Sequence, residues 1–343
     1  MIESPHLEGN GITMNRLDQL RLWISVQLNG SDFDLSPASA DASFRRYFRV
    51  TTGRSTLIAM DAPREYENCA PYVHVAQLFR AANVNVPEVL AQDLEQGFLL
   101  LTDFGSTTYL DALKPENACS LYADALDALI SIQRASRPGE LPEYDRTLLK
   151  SEIELFSRWY VVRHLGRTLT PKQADSLDSV CGVVLECNLR EPRVYVHRDY
   201  HSRNLMWTQP NPGVLDFQDA VSGPISYDLV SLLKDAYIEW PEEQVLDWGV
   251  RYWEKARAAR LPVRNDFADF YRDFEWMGVQ RHLKVLGIFA RLWHRDGKDG
   301  YLANLPLVLR YVQRVAMRYQ ELFPLARLLD ELHEGRQAAG TRL

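Results

Sequence analysis

The chain's 343 residues are 46% apolar and 25% charged, ordinary globular usage that excludes wholesale disorder, and 18 glycines with 17 prolines exclude a collagen-like or low-complexity chain. A formal net charge of −7 disfavours nucleic acid as a partner, and no apolar run reaches the ~18 residues that a membrane span needs. The polar, acidic start MIESPHLEGNG has neither a basic n-region nor an apolar h-region, so no secretory signal is expected.

Residues 1–13 show no periodic pattern and read as a loose tail. Met14 to Leu28 then places Leu17, Leu20, Trp23, Ile24 and Leu28 at helical spacing. Phe44 to Val50 and Thr56 to Met60 read as a hairpin around Thr52-Gly53. A helix over Pro71 to Ala82 and a short strand over Pro87 to Leu90 follow. Gly97 to Thr102 is continuously apolar, the pattern of a strand buried on both faces. Beyond Gly105 the texture becomes helical, with helices predicted over Asn117–Gln133, Leu148–Leu165 and Pro171–Leu189. Two strands, Arg193–Val196 and Gly213–Phe217, interrupt it, and helical pattern resumes from Tyr227 onward. The expected class is therefore α+β, with a sheet-rich part over 1–103 and a larger, mostly helical part over 104–343 that share one cleft. Cys69, Cys119, Cys181 and Cys187 form no C-x-x-C pair and are expected as buried free thiols of a soluble, monomeric, cytoplasmic protein.

The chemistry concentrates between 197 and 219. His197-Arg198-Asp199 is followed five residues after the Asp by Asn204, and an apolar strand twelve residues later ends in Asp216. Phosphoryl transfer from ATP needs a carboxylate beside the acceptor hydroxyl, to orient it and take its proton; Asp199 fits that role. It also needs oxygen ligands for the Mg²⁺ that bridges the phosphates. Asn204 and Asp216 supply one neutral and one anionic oxygen, which limits repulsion beside a polyphosphate. Asp and Asn are common turn residues, but the placement of this set between two apolar strands favours the chemical reading. No Walker A motif is present, and Gly9-x-Gly11 lacks the strand and third glycine of a dinucleotide fingerprint.

Over Val196–Trp207 and Gly213–Leu233 the sequence resembles the aminoglycoside phosphotransferase and choline kinase superfamily, relatives of the protein kinases. The resemblance implies a bilobal protein-kinase-like fold, with Asp199 as catalytic base and Asn204 and Asp216 as Mg²⁺ ligands. It also implies that Asp228 braces the catalytic loop together with His197, while Asp219 reads as a turn residue. Thr102-Asp103-Phe104-Gly105 spells D-F-G but precedes the catalytic loop instead of following it. It fits a hinge in which Leu101, Thr102, Asp103 and Phe104 hold adenine through backbone groups, so Asp103 is not expected to bind metal.

The nucleotide turn Asp41-Ala42-Ser43-Phe44-Arg45-Arg46-Tyr47 departs from the family pattern, having no glycine, and Leu57–Asp61 carries no lysine. Ser43, Phe44 and Arg45 are the expected ATP contacts. Arg46 and Arg49 are the other cations available for phosphate, and strand alternation sets Arg46 on the opposite side from Arg45 and Arg49. This turn and the lysine-free strand resemble the bacterial anomeric kinases that phosphorylate N-acetylmuramate and N-acetylglucosamine at C1 in cell-wall recycling. Residues 272–300 carry six basic and four acidic side chains, which argues for a neutral or anionic acceptor, with Arg281 as a candidate contact. Trp276, with Trp240 and Trp293, is a candidate ring for stacking on sugar. The expected substrate is thus a small sugar, with no nucleic acid or membrane partner. An aminoglycoside kinase, another metabolite kinase or an inactive ATP-binding module are the alternatives.

Overall fold

The computed structural model describes residues 14–39, 44–53 and 55–334. The predicted tail over 1–13 and the turn residues Asp41, Ala42 and Ser43 lie outside them. The described residues form two compact units, one from those up to residue 70 with 88–103, the other from 71–87 with 104–334. Residues 71–87 thus pack with the larger unit, although chain order sets them within the smaller one.

The smaller unit is a five-stranded antiparallel sheet in the order β1-β2-β3-β5-β4, formed by Asp34–Ser39, Arg46–Thr51, Thr56–Asp61, Phe98–Thr102 and Val89–Asp93 in that spatial order. Helix α1 (Arg16–Gln27) begins at Asn15, whose side chain accepts from the Asp18 N–H. It covers one face, where Leu20 and Ile24 meet Val50, Ala59, Phe98 and Leu100. Strand alternation places Ile58, Met60, Leu99 and Leu101 on the other face, which explains why β5 is apolar throughout. β1 is absent from the sequence reading because Asp34–Ser39 has one large apolar residue and a proline. An edge strand tolerates both features.

The larger unit holds α2 (Ala70–Ala81), α3 (Tyr109–Ala112), α4 (Pro115–Arg134), α5 (Arg146–Leu155), α6 (Pro171–Arg190), α7 (Tyr227–Leu233), α8 (Glu242–Ala258), α9 (Phe267–His294), α10 (Leu305–Ala316) and α11 (Phe323–His333). Thr170 and Gln173 close a reciprocal cap on α6. Two antiparallel pairs sit among the helices, β6 (Arg193–Val196) with β9 (Val221–Pro224), and β7 (Leu205–Met206) with β8 (Gly213–Val214). The strand expected to run to Phe217 stops at Val214, because Asp216 turns the backbone into the left-handed region at φ 62°. Cys69 and Cys181 are buried, but Cys119 is exposed, contrary to expectation. No helix among the described residues is long and apolar enough to cross a membrane.

The helix predicted over Leu148–Leu165 changes spacing midway, α to Leu155 and then π over Phe156–His164. The change falls where Gly287 of α9 touches the Leu155 backbone. A methyl group on Gly287 would stand 2.3 Å from the Leu155 carbonyl carbon and 2.5 Å from its oxygen. Neither atom can swing aside as a side-chain tip can. Gly287→Ala is therefore expected to destabilise the protein by about 1–3 kcal/mol or more, as overpacking does. An unchanged urea midpoint would show that the two helices separate freely.

Candidate active site

β6 ends at Val196, and the backbone turns at once into a loop fixed by its own main chain. His197 N–H and Arg198 N–H donate to the two carboxylate oxygens of Asp228 at 2.6 and 3.0 Å. Asp228 lies in the first turn of α7 and is buried, which pushes its carboxyl up to about 7 despite those two donors. Arg198 occupies the left-handed region at φ 77°, a conformation a non-glycine residue holds only when its surroundings impose it. Its carbonyl accepts from Arg281 at 3.1 Å, so both ends of this residue are fixed.

The His197 ring continues the brace. Burial pushes its pKa down to about 4, leaving a neutral imidazole. Nε2–H donates to Leu215 O at 2.9 Å and Nδ1 accepts from the Asp199 N–H at 3.2 Å, which ties the loop to the segment carrying Asp216. Asp199 O in turn accepts from Asn204 Nδ2 at 3.0 Å and from the His201 N–H at 3.1 Å. Asp199 is thus positioned by its backbone, and its carboxylate takes no part in these bonds. Burial raises that carboxyl's pKa, but Lys284, Arg281 and Arg198 outweigh it and hold the group at about 2, fully ionised.

Asn204 and Asp216 come together as the spacing predicted. Asn204 Nδ2 lies 3.3 Å from Asp216 Oδ2, Leu215 N–H donates to Asn204 O, and Gln218 Nε2 donates to Asp216 Oδ1 at 2.8 Å. Both side-chain bonds of Asn204 use Nδ2, leaving its Oδ1 outside them. One neutral and one anionic hard oxygen on adjoining segments suit Mg²⁺, which takes few protein ligands and completes its shell with water and phosphate. Among the described residues there is no cluster of three or more His, Cys, Asp or Glu side chains suited to a metal.

Behind the loop stands a charge cluster that the sequence reading missed. Glu152 of α5 pairs with Arg198 at 2.5 Å and with Lys284 at 2.9 Å, and accepts from Tyr144 OH. Lys284 also donates to Tyr227 OH at 2.9 Å. Asp235 accepts from the Ser202 and Tyr237 N–H groups at 2.9 and 3.0 Å and anchors the loop's far end. A signal for Glu152 exists, since it falls in the stripe of Leu149, Ile153 and Phe156, where a carboxylate needs a partner.

Arg281 stands at the loop, as described, but Trp276 does not. Its ring is 2% exposed, lies under Arg272 at 4.8 Å and beside Tyr319, and lines a cavity with Cys187, Asp273 and Glu321 that no residue of the 197–204 loop lines. Five residues along a helix separate 276 and 281 by about 140°, so they face different neighbours. Trp240 donates to Tyr122 OH and packs edge-on to Trp248, and is likewise structural. Asp219 is exposed in a turn, its carbonyl accepting from Arg198.

In the smaller unit all three candidate arginines have carboxylate partners, Arg45 with Glu67 at 3.0 Å, Arg46 with Asp61, and Arg49 with Asp103 at 2.7 Å. Asp61 is buried and also holds Arg16 of α1, which places Arg46 on the α1 side of the sheet. Phe44 is exposed and stacked on Tyr66 at 4.6 Å. The Thr102 N–H donates to Glu88 O at 3.1 Å, so that one backbone donor of the Leu101–Phe104 segment is used within the smaller unit. Leu101 is buried in β5, and Phe104 presses its ring against Gly213, where a Cβ would meet it at 2.6 Å.

Residues 34–261 match the phosphotransferase enzyme family APH. A relative from Neisseria meningitidis named N-acetylmuramate/N-acetylglucosamine kinase is 53% identical over 324 residues, covering 93% of this chain and 96% of the relative. A relative of the same name from Pseudomonas aeruginosa is 51% identical over 305 residues, covering 89% of this chain and 90% of its own. Among solved structures, ADP-bound aminoglycoside phosphotransferase APH(2'')-Ib is similar with a TM-score of 0.58 at 14% identity, covering 91% of this chain and 98% of that one. Choline kinase LicA from Streptococcus pneumoniae is similar with a TM-score of 0.63 at 11% identity, covering 88% of this chain and 100% of that one. The fold is the protein-kinase-like one these structures share.

Proposed function

Because the chain belongs to the phosphotransferase enzyme family, we propose that it is a sugar kinase that transfers the γ-phosphoryl group of ATP to the C1 hydroxyl of N-acetylmuramate and N-acetylglucosamine. The observation that carries the chemistry is the Asp199–Asn204–Asp216 set, held in place by the braces from Asp228 and His197. The substrate class comes from two relatives above 50% identity that cover nine-tenths or more of their own length.

Asp199 orients the acceptor hydroxyl and receives its proton as the bond to phosphorus forms. An anomeric hydroxyl is more acidic than an ordinary alcohol, so a carboxylate of low basicity is adequate. Asn204 Oδ1 and the Asp216 carboxylate would hold Mg²⁺, which supplies charge neutralisation along the phosphate chain. Arg281 and Lys284 keep Asp199 ionised and set a positive field around the acceptor. The segment Leu101–Phe104 is assigned to adenine and Phe44 with Arg45 to the phosphates, Arg45 being shared with Glu67.

Phosphorus–carbon coupling in the NMR spectrum of the product tests this reading. Incubation with Mg-ATP and each sugar should give phosphate on C1. Phosphate on C6 or C4 would refute the anomeric assignment, and no transfer to either sugar would refute the substrate class.

A further inference from the structure

We propose that Arg203 recognises the lactyl carboxylate of N-acetylmuramate, and that the cavity it lines is the subsite distinguishing this acidic sugar from neutral N-acetylglucosamine. The proposal rests on the reading just given and assigns a part of that site which neither the motifs nor the comparisons address.

The cavity has a volume of about 400 Å³ and is lined by Thr108, Leu110, Asp111, Arg203, Tyr237 and Asn304. That volume lies in the range of small-ligand sites. Its walls are fastened to the catalytic loop, since Leu110 N–H donates to Ser202 O, and Asp235 accepts from both the Ser202 and Tyr237 N–H groups. Arg203 immediately precedes the Mg²⁺ candidate Asn204. His201 joins this cavity to the base. Its ring meets Tyr237 edge-on at 5.4 Å, and it lies within the electrostatic reach of both Asp199 and Arg203.

Arg203 differs from the other cations around the loop. Arg198 and Lys284 are paired with Glu152, and Arg281 is buried with its guanidinium on Arg198 O. Among the described residues no carboxylate lies within ion-pair distance of Arg203. Its guanidinium lies over Tyr237 at 4.8 Å and Tyr301 at 5.6 Å, two aromatic faces that support the cation without neutralising it. The cavity's acidic residue, Asp111, accepts from Thr108 N and Oγ1 at 3.1 and 2.7 Å in its own helix cap, and stands within electrostatic reach of Arg203 without forming an ion pair with it. A planar guanidinium on aromatic rings, at the edge of a sugar-sized cavity, matches a carboxylate by two parallel hydrogen bonds. The lactyl group hangs from O3, two ring carbons from C1, so with C1 at Asp199 its carboxylate falls to one side of the base.

The test compares N-acetylmuramate with its lactyl methyl ester and with N-acetylglucosamine. For the wild-type enzyme, esterification should lower kcat/KM by about 10- to 100-fold, the range for losing a hydrogen bond to a charged group. In Arg203→Gln that preference for acid over ester should collapse to near unity, and Arg203→Lys should restore part of it. Because both compounds meet the same variant, a general loss of folding or turnover cancels from the ratio. An acid-to-ester ratio that stays at its wild-type value in Arg203→Gln overturns the assignment, as does a wild-type enzyme indifferent to esterification. A wild-type enzyme that phosphorylates neither N-acetylmuramate nor N-acetylglucosamine overturns the parent reading, and this one with it.

Discussion

Asp199→Asn is expected to lower kcat by about 10²- to 10⁴-fold, the contribution of a positioned general base, with ATP affinity retained. The structure makes this substitution clean. Every bond that fixes Asp199 is made by its main chain, the N–H to His197 Nδ1 and the carbonyl to His201 N–H and Asn204 Nδ2. Asparagine therefore leaves the loop intact while removing the proton acceptor. Of the cations around it, Arg198 and Lys284 also keep a counter-charge, because both remain paired with Glu152. Turnover by coupled assay and ATP binding by calorimetry separate the two effects. Wild-type turnover in the variant would remove Asp199 from the role of base. A parallel loss of ATP affinity and thermal stability would mean that its carboxylate supports structure instead.

Asn204→Ala is a useful contrast, since it withdraws the amide that holds the Asp199 carbonyl as well as the oxygen proposed for Mg²⁺. Its loss should therefore combine weaker Mg²⁺ dependence with a misplaced base. Titration of activity against Mg²⁺ should show a raised half-saturation in Asn204→Ala and an unchanged one in Asp199→Asn.

Residues 197–216 were legible from sequence because their chemistry is local. One loop and one following segment bring three polar groups together, and the spacing alone nearly fixes their neighbours. The helices up to residue 190 were legible for a similar reason, from their own apolar stripes, with a cap before Pro171. Trp276 shows where this ends. Charge and ring content along 272–300 do not reveal which of the α9 residues face the loop, and helical rotation carries Trp276 to another neighbour while Arg281 reaches Arg198. The arginines of β2 make the same point. Alternation put Arg46 apart from Arg49, but their carboxylates, Asp61 and Asp103, lie 15 and 54 residues away and belong to other strands' ends. Arg203 carried no signal in sequence, because the spacing from Asp199 to Asn204 specifies nothing about the positions between them. Its meaning depends on Tyr237 and Tyr301, brought to it by the fold.

Glu152→Gln should produce the largest loss of stability among single changes at the site, about 3–5 kcal/mol, the cost of leaving buried charge unpaired. Glu152 is 6% exposed and serves two cations, Arg198 and Lys284, with Tyr144 OH and Gln280 Nε2 completing its shell. Glutamine keeps the shape and removes the charge, so two buried cations lose their ion-pair partner. Lys284→Met in the same chain should recover part of the loss, since a single cation then remains. The pH dependence has a defined sign. Burial raises this carboxyl's pKa, but Lys284 and Arg198 more than offset it and hold the folded-state value below the ordinary one. The stabilisation from Glu152 is therefore complete above its unfolded pKa of ~4.3 and is lost as pH falls through the lower folded value. Urea midpoints of wild type and variant should differ by a constant amount from pH 8 to about 5, with the gap narrowing below ~4. A gap that instead widened in acid would assign the stabilisation to a group whose folded pKa is raised. The consequence reaches catalysis, because Arg198 holds a left-handed backbone position next to Asp199, and Glu152 is the partner of its guanidinium. In the folded fraction, Glu152→Gln should lower kcat with a smaller change in the KM for ATP, which separates a loosened catalytic loop from a weakened nucleotide site.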